Sequence, residues 1–106
     1  MPSTKDKKIS WIVPCFNEEE SIYKTIKKLV DVSNSINHFN WEIIIIDDGS
    51  KDRSRFIVKE IMNEYKFVKL ICFSRNFGHQ YAVQAGLNFS NGDAAVVIDA
   101  DLQDPP

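Results

Sequence analysis

The sequence predicts an α/β protein: a Rossmann-like, open, mainly parallel sheet with flanking helices. Three observations carry that expectation. Short apolar runs bounded by turn residues alternate with segments whose apolar positions repeat at three and four, giving the order β-α-β-α-β-α-β. One run, residues 43–46, is an unbroken series of isoleucines, the pattern of a strand covered on both faces rather than one half-open to water. Acidic and polar residues gather just after the runs, where the loops of an open parallel sheet diverge.

Residues 1–8 form a polar tail, and residues 9–106 are expected to form one domain. The run Ile9-Ser-Trp-Ile-Val-Pro14 is rich in bulky apolar residues and stopped by proline, so it reads as a buried first strand. A helix follows, with apolar residues at Ile22, Ile26, Leu29 and Val30 and with Ser33 on the same face. Asn17 is expected to cap it, Glu20 to reach back three residues, and the acids Glu18, Glu19 and Glu20 to complement the helix dipole. Residues 41–47 give the second strand. In the turn Asp48-Gly49-Ser50, glycine supplies a positive φ and Ser50 is expected to cap a second helix carrying Ile57, Val58, Ile61, Met62 and Tyr65. The third strand spans about residues 68–74. Ala82, Ala85, Gly86 and Phe89 would let a third helix, residues 78–89, lie close on the sheet. Asn91-Gly92-Asp93 then turns the chain into a fourth strand, residues 94–99. No helix follows that strand, so the sequence is expected to be the N-terminal part of a longer protein.

Composition narrows the possibilities. With 43% hydrophobic and 26% charged residues, the chain is globular rather than disordered. Its 13 basic and 15 acidic residues leave a net charge of -2 without a dense basic run, so no nucleic-acid partner is expected. No apolar stretch approaches the roughly 20 residues that span a bilayer, and no signal-peptide pattern opens the chain. This segment is therefore expected to be soluble and cytoplasmic. Cys15 and Cys72 lack metal-ligand or C-x-x-C spacing and are expected to be buried free thiols.

The strand ends place Glu18, Asp47, Asp48, Asp99 and Asp101 along one edge of the sheet. Crowded carboxylates repel one another unless a cation or solvent lies among them. Asp99-Ala-Asp101, after the apolar run 95–98, is either a solvated loop or a pair of hard oxygen ligands for Mg²⁺ or Mn²⁺, with water and substrate phosphates completing the shell. Asp47 and Asp48 form a strand-ending turn and could also accept hydrogen bonds from a nucleobase imide or a ribose hydroxyl. Asn17 and Glu18 have the same two readings. No G-x-G-x-x-G follows the first strand, and neither a P-loop nor a G-x-S-x-G motif occurs. His38 falls in a polar loop. His79 opens the third helix and is a candidate for substrate contact.

Four ordered segments then carry a resemblance: Ile12-Val-Pro-Cys-Phe-Asn-Glu-Glu-Glu-Ser-Ile22, Ile46-Asp-Asp-Gly-Ser-Lys-Asp52, Arg75-Asn-Phe-Gly-His79 and Gly92-Asp-Ala-Ala-Val-Val-Ile-Asp-Ala-Asp-Leu-Gln-Asp-Pro-Pro106. Together they resemble the family 2 glycosyltransferases of the GT-A fold. The third and fourth are most similar to the polyprenyl-phosphate branch, which includes dolichol-phosphate mannose synthases and bactoprenol glucosyltransferases. The resemblance implies the nucleotide-sugar-binding part of such a domain, cut off after the D-x-D motif and inactive alone. It implies inverting transfer from a UDP-glucose or GDP-mannose type donor to a lipid phosphate, at the cytoplasmic face of a membrane that is contacted through residues beyond Pro106. By the same resemblance, Pro14, Phe16, Glu18, Asp47, Asp48 and Arg75 bind the nucleotide sugar. Asp99 and Asp101 are catalytic and, with Gln103, hold Mg²⁺ or Mn²⁺. Two alternatives remain open at this point: a family 2 transferase with a hydroxyl acceptor in polysaccharide or glycan synthesis, and a non-catalytic nucleotide-binding module.

Overall fold

The computed structural model describes residues 7–36 and 39–101, so the N-terminal tail up to Asp6, His38 and Gln103 lie outside the described residues. Four strands form one sheet: β1 (Lys8–Cys15), β2 (Asn40–Asp47), β3 (Val68–Cys72) and β4 (Ala94–Val97). Three helices connect them, α1 (Ile22–Ser35), α2 (Ser54–Glu64) and α3 (His79–Phe89), in the order the periodicities predict. All pairings are parallel and the strand order is β3-β2-β1-β4. The first strand begins at Lys8, which the sequence reading gave to the tail.

Alternation along the strands explains the isoleucine run. Ile43 and Ile45 join Val13 in a core closed by Ile22, Ile26, Leu29 and Val30 of α1 and by Val58 and Ile61 of α2. Ile44 and Ile46 point the other way, with Ile12, into a second core closed by Ala82 of α3. Each fully buried isoleucine contributes about 1.5–3 kcal/mol relative to an exposed one, so β2 anchors both layers. Gly86 brings α3 close to the sheet, because a Cβ there would stand 2.5 Å from Ile12 Cγ2 and 2.7 Å from Ile46 Cδ1. Phe89, expected to face the sheet, is instead half exposed. It ends α3 at the strands' N-terminal rim, where Lys69 Nζ lies 5.9 Å from its ring centroid.

The acid in the body of β2, Glu42, has partners on both carboxylate oxygens. Glu42 is 1% exposed and accepts hydrogen bonds from Lys69 Nζ at 2.8 Å, from Asn91 N at 2.8 Å and from Ser10 Oγ. Lys8 Nζ lies 3.4 Å away. Burial alone would raise the carboxyl pKa, but the bonds from Lys69, Ser10 and Asn91 outweigh it and hold the value down at about 2.

Both expected helix caps are absent. The first helix starts at Ile22 with no side-chain cap, and Glu18, Glu19 and Glu20 precede it rather than filling its first turn. Asn17 adopts φ +53 and turns its side chain away from its own helix, its Oδ1 accepting from Lys51 N at 2.8 Å. Ser50 does not cap α2, which begins at Ser54, because its Oγ accepts the Asn17 N–H at 2.8 Å. Cys15 is buried as expected, whereas Cys72 is exposed because it ends the edge strand β3. Every residue of β4, the opposite edge, is exposed.

Candidate active site

Strand order reverses between β1 and β4, and in an open parallel sheet the crevice beyond the carboxyl ends at such a reversal is where ligands bind. A cleft of about 660 Å³ opens there. Pro14, Cys15, Phe16 and Glu18 line it from the loop after β1, and Asp48 from the loop after β2. Asn76 and Gly78 come from the loop before α3, His79 from its first residue, and Asp99, Ala100 and Asp101 from the loop after β4.

The loops hold one another. Asn17 N–H donates to Ser50 Oγ, Glu18 N–H to Ser54 Oγ at 3.0 Å, and Glu19 N–H to Asp52 Oδ2 at 3.1 Å, fastening the first loop to the second. The second loop is fastened to the third through Asp48, which is 4% exposed. Its Oδ1 accepts Phe77 N–H at 2.7 Å, and its Oδ2 accepts Gly78 N–H at 3.0 Å and Asn76 Nδ2 at 3.1 Å. Gly49, at φ +78, makes room for this crossing, since a Cβ there would overlap the backbone of Arg75 and Asn76. The fourth loop leans on α1 through the carbonyl of Ala100, which accepts Thr25 Oγ1 at 2.6 Å and Ser21 Oγ at 3.2 Å.

Seven of the sequence-derived candidates therefore line the cleft: Pro14, Phe16, Glu18, Asp48, His79, Asp99 and Asp101. Asp47 does not. It is 1% exposed, and its Oδ2 accepts from Arg55 Nε and from Ser50 N at 3.0 Å. Pleating turns it away from the cleft that Asp48 faces. Arg75 is exposed outside the lining, its guanidinium 4.6 Å from the Phe77 ring centroid. Sequence reasoning missed Cys15 and Asn76 as lining residues. It also missed Ser21, Thr25, Asp52 and Ser54 as loop fasteners, although hydroxyls at Ser21 and Thr25, four apart beside the apolar stripe of α1, were a usable signal. Burial pushes the Cys15 thiol up to about 12, helped by the Asp47 and Glu18 charges and partly offset by the Ser54 hydrogen bond.

Among the described residues no three His, Cys, Asp or Glu side chains converge as a complete metal shell. Asp99 and Asp101 are exposed on one cleft wall and offer hard oxygens. That donor set fits Mg²⁺ or Mn²⁺, which are commonly bound by one or two carboxylates together with substrate phosphates and water.

Fold and cleft define an open parallel α/β protein with a cleft at the switch point, lined by four loops. The chain belongs to glycosyl transferase family 2, whose family model matches residues 10–106. It is 50% identical over 97 residues to the uncharacterized glycosyltransferase YkcC of Bacillus subtilis, covering 92% of this chain and 30% of that protein. It is 43% identical over 101 residues to the bactoprenol glucosyl transferase of Shigella phage SfV, covering 92% of this chain and 32% of that protein. The chain thus spans about a third of the length of these relatives. Among solved structures, S. aureus TarS 1-349 in complex with UDP-GlcNAc superposes with a TM-score of 0.76 at 26% identity, over 89% of this chain and 26% of that one. The mannosyltransferase PcManGT of Pyrobaculum calidifontis, in complex with GDP-Man and Mn²⁺, superposes with a TM-score of 0.79 at 20% identity, over 95% of this chain and 30% of that one. The GT-A glycosyltransferase fold expected from the sequence is the fold observed.

Proposed function

We propose that the protein is an inverting, metal-dependent glycosyltransferase that moves a sugar from a nucleoside-diphosphate donor, of the UDP-glucose or GDP-mannose type, to a polyprenyl phosphate. The observation that carries this reading is one cleft at the switch point lined by four carboxylates, Glu18, Asp48, Asp99 and Asp101. The similarity to a bactoprenol glucosyl transferase supports the lipid-phosphate acceptor. Such an acceptor places the reaction at a membrane surface, on the cytoplasmic face. Among the described residues no helix is long and apolar enough to cross a membrane.

The residues divide the work as follows. A carboxylate offers about four acceptor sites, and three of those on Asp48 hold the third loop, leaving one on Oδ1 for a base imide or ribose hydroxyl. Pro14 and Phe16 supply the apolar floor under the nucleoside, and Glu18 a second acceptor. Asp99 and Asp101, with Gln103, would hold the cation. When bound, Mg²⁺ or Mn²⁺ neutralises charge on the departing nucleoside diphosphate. No general base is required, because a phosphate monoester loses its second proton at a pKa of about 6 and is already anionic. In-line attack by its oxygen inverts the anomeric carbon, and the rate rests on orientation and charge stabilisation.

Thermal unfolding of the full-length protein with UDP and GDP, each with and without Mn²⁺, tests this reading. One nucleotide should raise the midpoint only when Mn²⁺ is present, and Asp101→Asn should abolish that shift without lowering the ligand-free midpoint. Indifference to both nucleotides would refute the donor site. Transfer of sugar to a hydroxyl acceptor but not to undecaprenyl phosphate would refute the acceptor assignment.

A further inference from the structure

We propose that Ser21 and Thr25, two hydroxyls one turn apart at the start of α1, position the Asp99–Asp101 loop and couple it to Glu18. The inference rests on the donor-site reading above. Asp99 and Asp101 reach into the cleft from exposed positions, while Ala100 between them is 3% exposed and turned inward. The Ala100 carbonyl is gripped by Thr25 Oγ1 at 2.6 Å and Ser21 Oγ at 3.2 Å. Thr25 is itself 2% exposed, so this grip is built into the core and is not a surface accident. The strand leading into the loop holds its near end, with Ile98 N–H donating to the Ile12 carbonyl at 2.9 Å. β4 pairs with β1 in parallel over all four of its residues. Beyond that ladder, the carbonyl between the two carboxylates is held from the start of α1 by Thr25 and Ser21.

Ser21 adds the coupling. Its hydroxyl has one proton and two acceptors within reach, Glu18 Oε2 at 2.9 Å and the Ala100 carbonyl at 3.2 Å. One proton serves one acceptor at full strength. A nucleoside hydroxyl or imide that donates to Glu18 competes for its carboxylate and releases the Ser21 proton toward Ala100. Occupying Glu18 thus tightens the grip on the Asp99–Asp101 loop. Thr25, at 2.6 Å, is the fixed anchor, and Ser21 is the shared contact. Both are positioning residues, since neither lines the cleft.

Full-length wild type, Thr25→Val, Thr25→Ser and Ser21→Ala separate the possibilities by hydrogen exchange and by titration calorimetry. Without ligand, Thr25→Val should speed amide exchange in residues 98–101, and Thr25→Ser should restore it. With UDP or GDP, whichever base binds, Thr25→Val should weaken Mn²⁺-dependent affinity by roughly tenfold, as loss of an outer-shell partner does, while nucleoside binding changes little. In wild type the free nucleoside should slow exchange in 98–101, and Ser21→Ala should remove that protection. Wild-type affinity in Thr25→Val, or nucleoside protection retained in Ser21→Ala, would overturn the coupling while leaving the donor site standing. Absence of Mn²⁺-dependent nucleotide binding in wild type would overturn the donor site and the coupling with it. If Thr25→Val does not fold, the Thr25→Ser and Ser21→Ala pair carries the same decision.

Discussion

The Asp48 carboxylate accepts the backbone N–H of Phe77 at 2.7 Å, joining the loop after β2 to the loop before α3 across 29 residues of sequence. Gly78 N–H and Asn76 Nδ2 complete the contact, so a single buried side chain orders the segment that leads into His79. Asp48→Ala would strand two backbone donors and should destabilise the protein by about 2–4 kcal/mol. Asp48→Asn should fare little better, because its NH2 group would face donors. Denaturant unfolding of both variants checks this, and a wild-type midpoint for Asp48→Asn would show that the loop does not need the charge.

Gly49 underlies the same crossing. Alanine at φ +78 costs about 1–2 kcal/mol from conformation alone. Its Cβ would also overlap the Arg75 and Asn76 backbone, which cannot move aside as a flexible side chain could. Gly49→Ala should therefore lower stability by about 2 kcal/mol or more and weaken nucleotide binding along with it. Loss of stability with intact binding would mean that the third loop is placed independently of the second.

What the sequence disclosed and what it hid have physical reasons. The four-isoleucine run and the helical repeats are local patterns, and they gave the element order and the two-sided burial of β2. The helix caps were misread because Asn17 and Ser50 are short polar residues that satisfy local geometry in many ways. Here they bond to each other from 33 positions apart, which no local pattern records. Asp47 and Asp48 look equivalent in sequence, yet adjacent residues at a strand end face opposite ways, and only one lines the cleft. Ala100 drew no notice because its part is played by a backbone carbonyl.

The two cysteines should differ sharply in reactivity. Cys15 is 2% exposed and burial pushes its thiol up to about 12, whereas Cys72 is exposed at the end of β3. The thiolate is the reactive form, so at pH 8 a maleimide should label Cys72 at least roughly a hundredfold faster than Cys15. Peptide mapping after timed labelling measures both. Equal rates would mean that the β1 end opens readily, contrary to the hydrogen bonds that fasten Asn17 and Glu18 to Ser50 and Ser54.

Glu42 should make stability depend on pH far from the cleft. Its carboxyl is held at about 2 in the folded state against an ordinary value of 4.5, by Lys69, Ser10 and Asn91 acting against burial. A depressed folded value means that the unfolded chain takes up the proton first. The contribution is therefore fully present above about pH 5 and is lost as pH falls from there through about 2. Its size is about 3 kcal/mol, since each unit of displacement corresponds to about 1.4 kcal/mol. Both lysines keep part of their solvation, with side chains 29% and 35% exposed, so Glu42→Gln leaves no buried cation behind. The variant should be less stable than wild type by about 3 kcal/mol at pH 7, and the gap should close progressively toward pH 2. Urea unfolding of both proteins across that range measures it. A gap that stays constant with pH would assign the loss to packing and hydrogen-bond geometry rather than to the charge.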